Sequence, residues 1–236
     1  MFSQVCDNWV VSDSDITRYP APHMAVDVAV VTVDPANRLC VLLVRRRGDN
    51  EGTWALPGRF VRERQRLAEA VAVTLEDKCG LSPAALSGRS PRQLHLFDDP
   101  DRDDRGWVMS MAHLLALPYD RLAPAIEGSP DLTLAPIVRG KLAIPGQRSL
   151  PYGQDEIVEY ALQEMRSLYA ESPDPEGIIA DSEFTLAQLH EIHVAVVDAE
   201  WQIDTFRRHM IPQLQETGRR SSGGVGRPAA LYRRIA

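Results

Sequence analysis

Residues 58–81, GRFVRERQRLAEAVAVTLEDKCGL, join a glycine-led loop to an amphipathic helix. Leu67, Val71 and Leu75 recur every four residues, so the spacing predicts a helix from about Leu67 to Cys79 with one face buried. Gly80 follows as its expected C-cap. Two β-branched runs precede this unit, residues 24–33 (MAVDVAVVTV) and 39–46 (LCVLLVRR), separated by the turn signal Asp34-Pro35-Ala36-Asn37. They are expected to pair as strands. The Gly/Pro-rich loop GDNEGTWALPG leads from the second run into the helix unit. Residues 92–97 (RQLHLF) and 107–117 (WVMSMAHLLAL) supply further strands on either side of the acidic loop DDPDRDDRG. This mix of strands and helices in the first 150 residues predicts an α/β sandwich.

In length and layout residues 58–81 resemble the Nudix box, and the resemblance puts Thr74, Asp77 and Lys78 at its three metal-ligand positions; spaced i, i+3, i+4 on the predicted helix, they share a face. A hydrolytic metal site on such a face needs two or three carboxylates. These hold divalent cations that neutralise a pyrophosphate and activate water. Of the three residues only Asp77 can ligate a metal; Lys78 repels one and Thr74 adds no charge. Glu76 falls on a different face, and Glu63 and Glu69 do not fit the pattern. Two readings follow. In one, the loop and sheet bind a nucleoside diphosphate, with Lys78 and nearby arginines supplying charge in place of metal. In the other, the domain is a dimerisation scaffold without a ligand. The first is the simpler role for a retained pocket frame.

The chain has 236 residues, room for one large domain or two smaller ones. Its three cysteines, Cys6, Cys40 and Cys79, lie far apart with no zinc spacing. That pattern fits a reducing cytoplasm and argues against a disulfide scaffold or metal site. No apolar run approaches the roughly 18 residues a membrane span needs, and the polar start is no signal peptide. The net charge of −7 is unevenly spread. Residues 201–236 carry seven arginines against Asp204 and Glu216, a local balance of +5, which leaves −12 on the first 200 residues. An acidic body with a basic tail is the charge footprint of a nucleic-acid-binding segment.

The tail has the order of elements such a segment needs. Residues 156–170 place Ile157, Ala161, Leu162, Met165 and Leu168 on one helical stripe, and ESPDPEG (171–177) then breaks the pattern as a boundary loop. Residues 184–197 predict a helix with Thr185 as N-cap and an apolar stripe through Leu186, Leu189, His193, Val196 and Val197. A second helix is expected after Asp204 as N-cap. Ile203, Phe206, Met210 and Leu214 would mark its buried side, with Thr205, Arg208 and His209 pointing away. Arg207 falls close to the apolar stripe, and Pro212 limits the helix to about two turns. LQE (214–216) and AALYR (229–233) bracket TGRRSSGGVGRP, a hairpin with a basic, Gly-rich tip. Helix, turn, helix and a two-stranded wing make a winged helix-turn-helix. Its second helix would enter the major groove of double-stranded DNA while Arg219, Arg220 and Arg227 on the wing track the backbone.

Beside the Nudix-like residues 58–81, several further segments carry a resemblance: YPAPHMAVDVAVV, WALPGRFV, DDPDRDDRG, LPYGQDEIV, FTLAQLHEIH, DTFRRHMI and GRPAALYRR. With the box, they make nearly the whole chain resemble the NrtR family, Nudix-related transcriptional regulators of NAD metabolism. The resemblance implies a Nudix-like α/β/α sandwich at 1–152, for effector binding and dimerisation. It implies a linker helix and winged helix-turn-helix at 153–236. It also implies a homodimeric repressor on palindromic operators of NAD synthesis or salvage genes, released by ADP-ribose. Arg207 and Arg208 match the family's FRR helix, and Gly226, Arg227 and Pro228 match its wing motif. The sequence departs from the box: Arg59 replaces its second glycine, Gln65 an upstream glutamate, Val73 a bracing arginine, and Thr74 and Lys78 two metal ligands. Gln154-Asp155 stands where the family has an acid-and-His pair. The expectation is therefore binding without catalysis, with no metal and no cofactor. Trp54 would stack on the nucleotide, and Arg59, Lys78 and Arg105 would face its phosphates. The alternative is an active Nudix hydrolase with an accessory DNA-binding tail.

Overall fold

The computed structural model describes residues 19–47, 52–222 and 228–235. Cys6, residues 48–51 of the Gly/Pro-rich loop, and Gly223, Gly224, Gly226 and Arg227 of the wing tip lie outside the described residues.

Chain order runs β1 (His23–Val33), β2 (Leu39–Arg45), β3 (Trp54–Ala55), β4 (Gly58–Phe60), α1 (Leu67–Cys79), α2 (Pro83–Leu86), β5 (Arg92–Phe97) and β6 (Val108–Ala116). It continues through α3 (Tyr119–Glu127), β7 (Leu132–Val138), β8 (Lys141–Leu142) and α4 (Gln154–Glu171). Last come β9 (Phe184–Thr185), α5 (Leu186–Val197), α6 (Ile203–Met210), β10 (Leu214–Arg220) and β11 (Ala230–Arg234). The first sheet has the order β5-β6-β1-β2-β7-β8, with β3 on β2 and β4 on β1. β1 is buried from Val26 to Val33, as a central strand covered on both faces must be. One edge of β1 lies parallel to β6 from His23↔Val108 to Val31↔Ala116. The other edge changes partner along its length. Ala25, Val26 and Asp27 pair with β4, whereas Val31, Thr32 and Val33 pair with β2. This fork in the sheet fixes the place of the cleft described below.

Alternation along β1 and β2 divides the core in two. Val31, Val33, Val41 and Leu43 pack with Ile157, Ala161, Leu162 and Met165 of α4. On the opposite face, Val28, Val30 and Leu42 pack with Val71 and Leu75 of α1 and Leu122 of α3. The result is the expected α/β/α sandwich. The division expected at 152–153 assigned α4 to the tail, but the buried stripe of α4 lies in the sandwich core. Val196 of α5 reaches the same cluster.

The C-terminal unit is a winged helix around Phe184, Leu189, Phe206, Met210, Leu214 and Tyr232. Its three strands run in the order β10-β11-β9. Thr185 caps α5 as expected, in a capping box with Gln188. The start of α6 differs from the sequence reading. Gln202 is its N-cap and Asp204 lies within its first turn, where a carboxylate faces the positive helix end. Ile203 is 47% exposed rather than on the buried side. Trp201 fills that role instead, its ring 5.3 Å from that of Phe206. Pro212 falls in a 3-10 turn, Ile211–Gln213, directly after α6 ends.

Candidate functional site: a basic cleft and a reading head

At the fork between β2 and β4 the sandwich opens into a cleft of about 580 Å³. Its floor is the buried carboxylate of Asp27 on β1. Ser110 Oγ donates to Asp27 Oδ2 at 2.6 Å, and Gln154 Nε2 donates to Oδ1 at 2.7 Å. Arg102 Nη2 stands 3.6 Å from Oδ2 and donates to the Tyr152 carbonyl at 2.8 Å. These partners replace the hydration that a buried carboxylate loses. Gln154 also accepts from the Leu56 amide at 2.8 Å, so the first residue of α4 is bolted to the cleft floor. Gly58 lies so close to Asp27 that a Cβ there would sit 2.2 Å from Oδ1.

Three of the four residues expected to meet an effector line this cleft: Arg59, Lys78 and Arg105. Arg59 pairs with Asp77 at 3.3 Å. The stem of Lys78 is exposed on α1, but its ammonium turns inward and donates to the Gly58 carbonyl. Withdrawal from water pushes the Lys78 pKa down; Asp27 opposes this and Arg59 adds to it. Arg105 forks onto Asp103 at 2.8 and 2.7 Å, which holds the Asp103 carboxyl below its usual range. The Arg105 guanidinium lies 3.9 Å from the Tyr152 ring centroid and 5.2 Å from that of Phe60.

Trp54 does not join them. It is 7% exposed, packed in the sandwich core, with the Arg45 guanidinium 4.8 Å over its ring. A two-residue strand on β2 carries it inward. The aromatic rings that do line the cleft are Phe60 and Tyr152. Thr74 also departs from the shared face read from the sequence. It is buried, and its hydroxyl donates to the Ala70 carbonyl one turn back at 2.7 Å. Asp27, Arg102 and Tyr152 were missed although they lie in the segments YPAPHMAVDVAVV, DDPDRDDRG and LPYGQDEIV, because nothing local brings those segments together. The Arg45–Arg47 run closing β2 was visible, and all three arginines line the cleft.

A divalent cation takes several oxygen ligands, mostly carboxylates, carbonyls and water. Among the described residues no three of His, Cys, Asp or Glu converge in that way. Asp77 is engaged by Arg59, and an ammonium already occupies the Gly58 carbonyl. This donor set does not fit a divalent metal.

On the winged helix, α6 buries Phe206 and Met210 and exposes Thr205, Arg207, Arg208 and His209. Arg207, expected near the apolar stripe, is exposed with the others. Arg208 folds back toward the Asp204 carbonyl at 3.3 Å and Thr205 Oγ1 at 3.5 Å. On the wing, Arg219 pairs with Glu183 at 3.1 Å, and Arg220 donates to the Pro228 carbonyl at 3.1 Å. Both remain exposed.

Residues 179–234 match the family model for the NrtR DNA-binding winged helix domain. Over 222 residues the chain is 26% identical to the ADPR responsive transcriptional repressor NtrR of Acinetobacter baylyi, spanning 91% of this chain and 83% of that relative. The crystal structure of Shewanella oneidensis NrtR complexed with a 27mer DNA has a TM-score of 0.72 at 27% identity, covering 90% of this chain and 93% of the other. The Nudix domain of S. oneidensis NrtR, crystallised with ADP ribose, shares the sandwich fold. Its TM-score is 0.51 at 24% identity, over 63% of this chain and 94% of that domain. Fold and surface together define a protein with a Nudix-like domain joined to a winged helix DNA-binding domain. Over most of its length the chain is similar to NrtR proteins, and its C-terminal residues match that family's winged helix model. Among the described residues no helix is long and apolar enough to cross a membrane.

Proposed function

We propose that this protein is a DNA-binding transcriptional repressor of NAD biosynthesis or salvage genes, released from its operator by ADP-ribose or a related nucleotide. One observation carries the reading. A single chain joins the exposed Arg207 and Arg208 of α6 to a cation-lined cleft in which Lys78 points inward from a metal-ligand position of the box. The A. baylyi relative is named as ADPR responsive, and the S. oneidensis relative was crystallised with DNA and, as its Nudix domain, with ADP ribose.

The cleft volume suits one nucleotide-sized ligand. Arg59, Lys78 and Arg105 would face the diphosphate, and Phe60, 43% exposed, offers the ring that Trp54 does not. Lys78 supplies positive charge where a hydrolase would hold metal, so the nucleotide binds and persists. The reading head comprises Thr205, Arg207, Arg208 and His209, with Arg219 and Arg220 bracing the wing against the backbone. A homodimer would set two α6 helices about 34 Å apart on a palindromic double-stranded operator. Release requires that the effector bind the DNA-incompetent arrangement more tightly. We place the domain boundary in the ESPDPEG segment after α4, because α4 packs with the sheet. Such a repressor works in the cytoplasm, where its DNA is.

The test is a gel-shift titration on a duplex that the purified protein selects from a random-sequence pool. ADP-ribose, NAD and ATP are added in separate arms, each with magnesium and with EDTA. ADP-ribose should release the protein in both conditions and be recovered intact. Failure of all three nucleotides to release it would overturn the sensor reading. Consumption of ADP-ribose in magnesium would identify a hydrolase instead.

A further inference from the structure

Asp174 is fully buried where the sandwich meets the winged helix domain. A carboxylate withdrawn from water persists only where donors replace its hydration. Tyr169, in the last turn of α4, donates its hydroxyl at 2.7 Å. The amides of Ile178 and Ile179 donate at 2.8 and 3.1 Å. Arg234, closing the central strand of the wing sheet, donates its guanidinium to the same carboxylate and to the Ile179 carbonyl at 3.1 Å. The backbone N–H of Asp174 in turn donates to Nε2 of His193 on α5 at 3.3 Å. Burial pushes the His193 pKa down to about 4, so the ring is neutral near pH 7 and able to accept. One acid thus ties the end of α4 to α5 and to β11.

The other end of α4 is anchored as firmly. Gln154 bridges Asp27 and the Leu56 amide on the cleft floor. Between these two buried anchors runs one 18-residue helix, roughly 27 Å of rigid rod. Its stripe is locked into the sandwich core. A shift at Gln154 therefore moves Tyr169. Stripping a donor from a buried carboxylate is costly, so the shift passes into β11 and α5 instead of being absorbed at the joint.

We infer that Tyr169, Asp174 and Arg234 form the positioning link through which a nucleotide in the cleft re-aims the reading head. The inference rests on the nucleotide-sensing role proposed above. Tyr169→Phe removes the α4 donor with little change of shape and touches neither the cleft nor the DNA-facing surface. Arg234→Lys loosens the link from the wing side.

Hydrogen exchange of the full chain, with and without ADP-ribose, tests this alongside calorimetry of ADP-ribose binding. In the wild type, ADP-ribose should change exchange both at residues 54–60 and at residues 203–220. Both variants should bind ADP-ribose within about twofold of wild type and keep the change at 54–60. Both should lose more than half of the change at 203–220. Full transmission in both variants would overturn the link and leave the sensor role standing. Absence of ADP-ribose binding to the wild type would instead remove the sensor role, and the link with it.

Discussion

At the scale of single residues, Gly58 shows why a glycine leads the loop into α1. The space for its Cβ is taken by Asp27 Oδ1 at 2.2 Å and by the Val26 carbonyl at 2.8 Å. Neither neighbour can yield, because β4 is paired to β1 at this point and Asp27 is held by Ser110 and Gln154. Gly58→Ala should lower stability by about 2 kcal/mol, a usual cost of overpacking a fixed site. The reading is a lower urea midpoint with an unchanged slope; an unchanged midpoint would mean the fork is softer than its hydrogen bonds imply. The cysteines illustrate the opposite case. Cys40 and Cys79 are buried free thiols whose pKa is pushed up to about 12, so they pack as small apolar groups and lack thiolate reactivity.

At the scale of elements, α6 separates its two tasks by face. Phe206 and Met210 hold the helix to the winged helix core, and the arginines stand clear of it. Arg208→Ala should therefore weaken operator binding about tenfold or more, the loss of one good nucleic-acid contact. The thermal midpoint should stay within error, because an exposed side chain with only two long contacts, at 3.3 and 3.5 Å, contributes little to folding. Gel shift and a melting curve on the same sample decide the matter. Unchanged DNA binding would remove Arg208 from the reading head. α1 divides its faces in the same manner: Val71 and Leu75 enter the core while Asp77 and Lys78 reach the cleft. The sequence reading put Thr74 with Asp77 and Lys78 because i, i+3, i+4 spacing allows it. The packing of α1 on the sheet turned Thr74 inward.

At the scale of the whole molecule, charge is divided by position: +5 on residues 201–236 and −12 before them. An excess of acid in the body disfavours contact with phosphates there, so under the proposed function the basic tail supplies most of the affinity for DNA. Binding of this kind releases counterions and is steeply salt-dependent. Operator affinity should fall by about a thousandfold or more between 50 and 200 mM salt if a dimer neutralises six or more phosphates. Filter binding across that range measures the slope. A flat response would mean that the arginines of α6 and the wing do not meet the backbone.

Much of the architecture was legible from local pattern. The 3.6-residue period marked α1 and the buried stripe of α4, Thr185 announced the start of α5, and β-branched runs marked β1 and β2. These signals are local, because a helix stripe, a cap or a strand is defined by neighbours in the chain. The cleft is not local. Asp27 meets Ser110 and Gln154 only because β1 pairs with β6 and α4 folds across the sheet. Trp54 went to the core on β3, paired to β2, while Phe60 came to the cleft on β4, paired to β1, and Tyr152 from the turn before α4. The order of elements, the residues Thr74 and Lys78 in the box and the basic tail were determined by the sequence itself. Which side chains line the cleft, and how α4 runs from it to the winged helix, was decided by tertiary packing, since contacts between residues 83 to 127 apart leave no periodic trace in the chain.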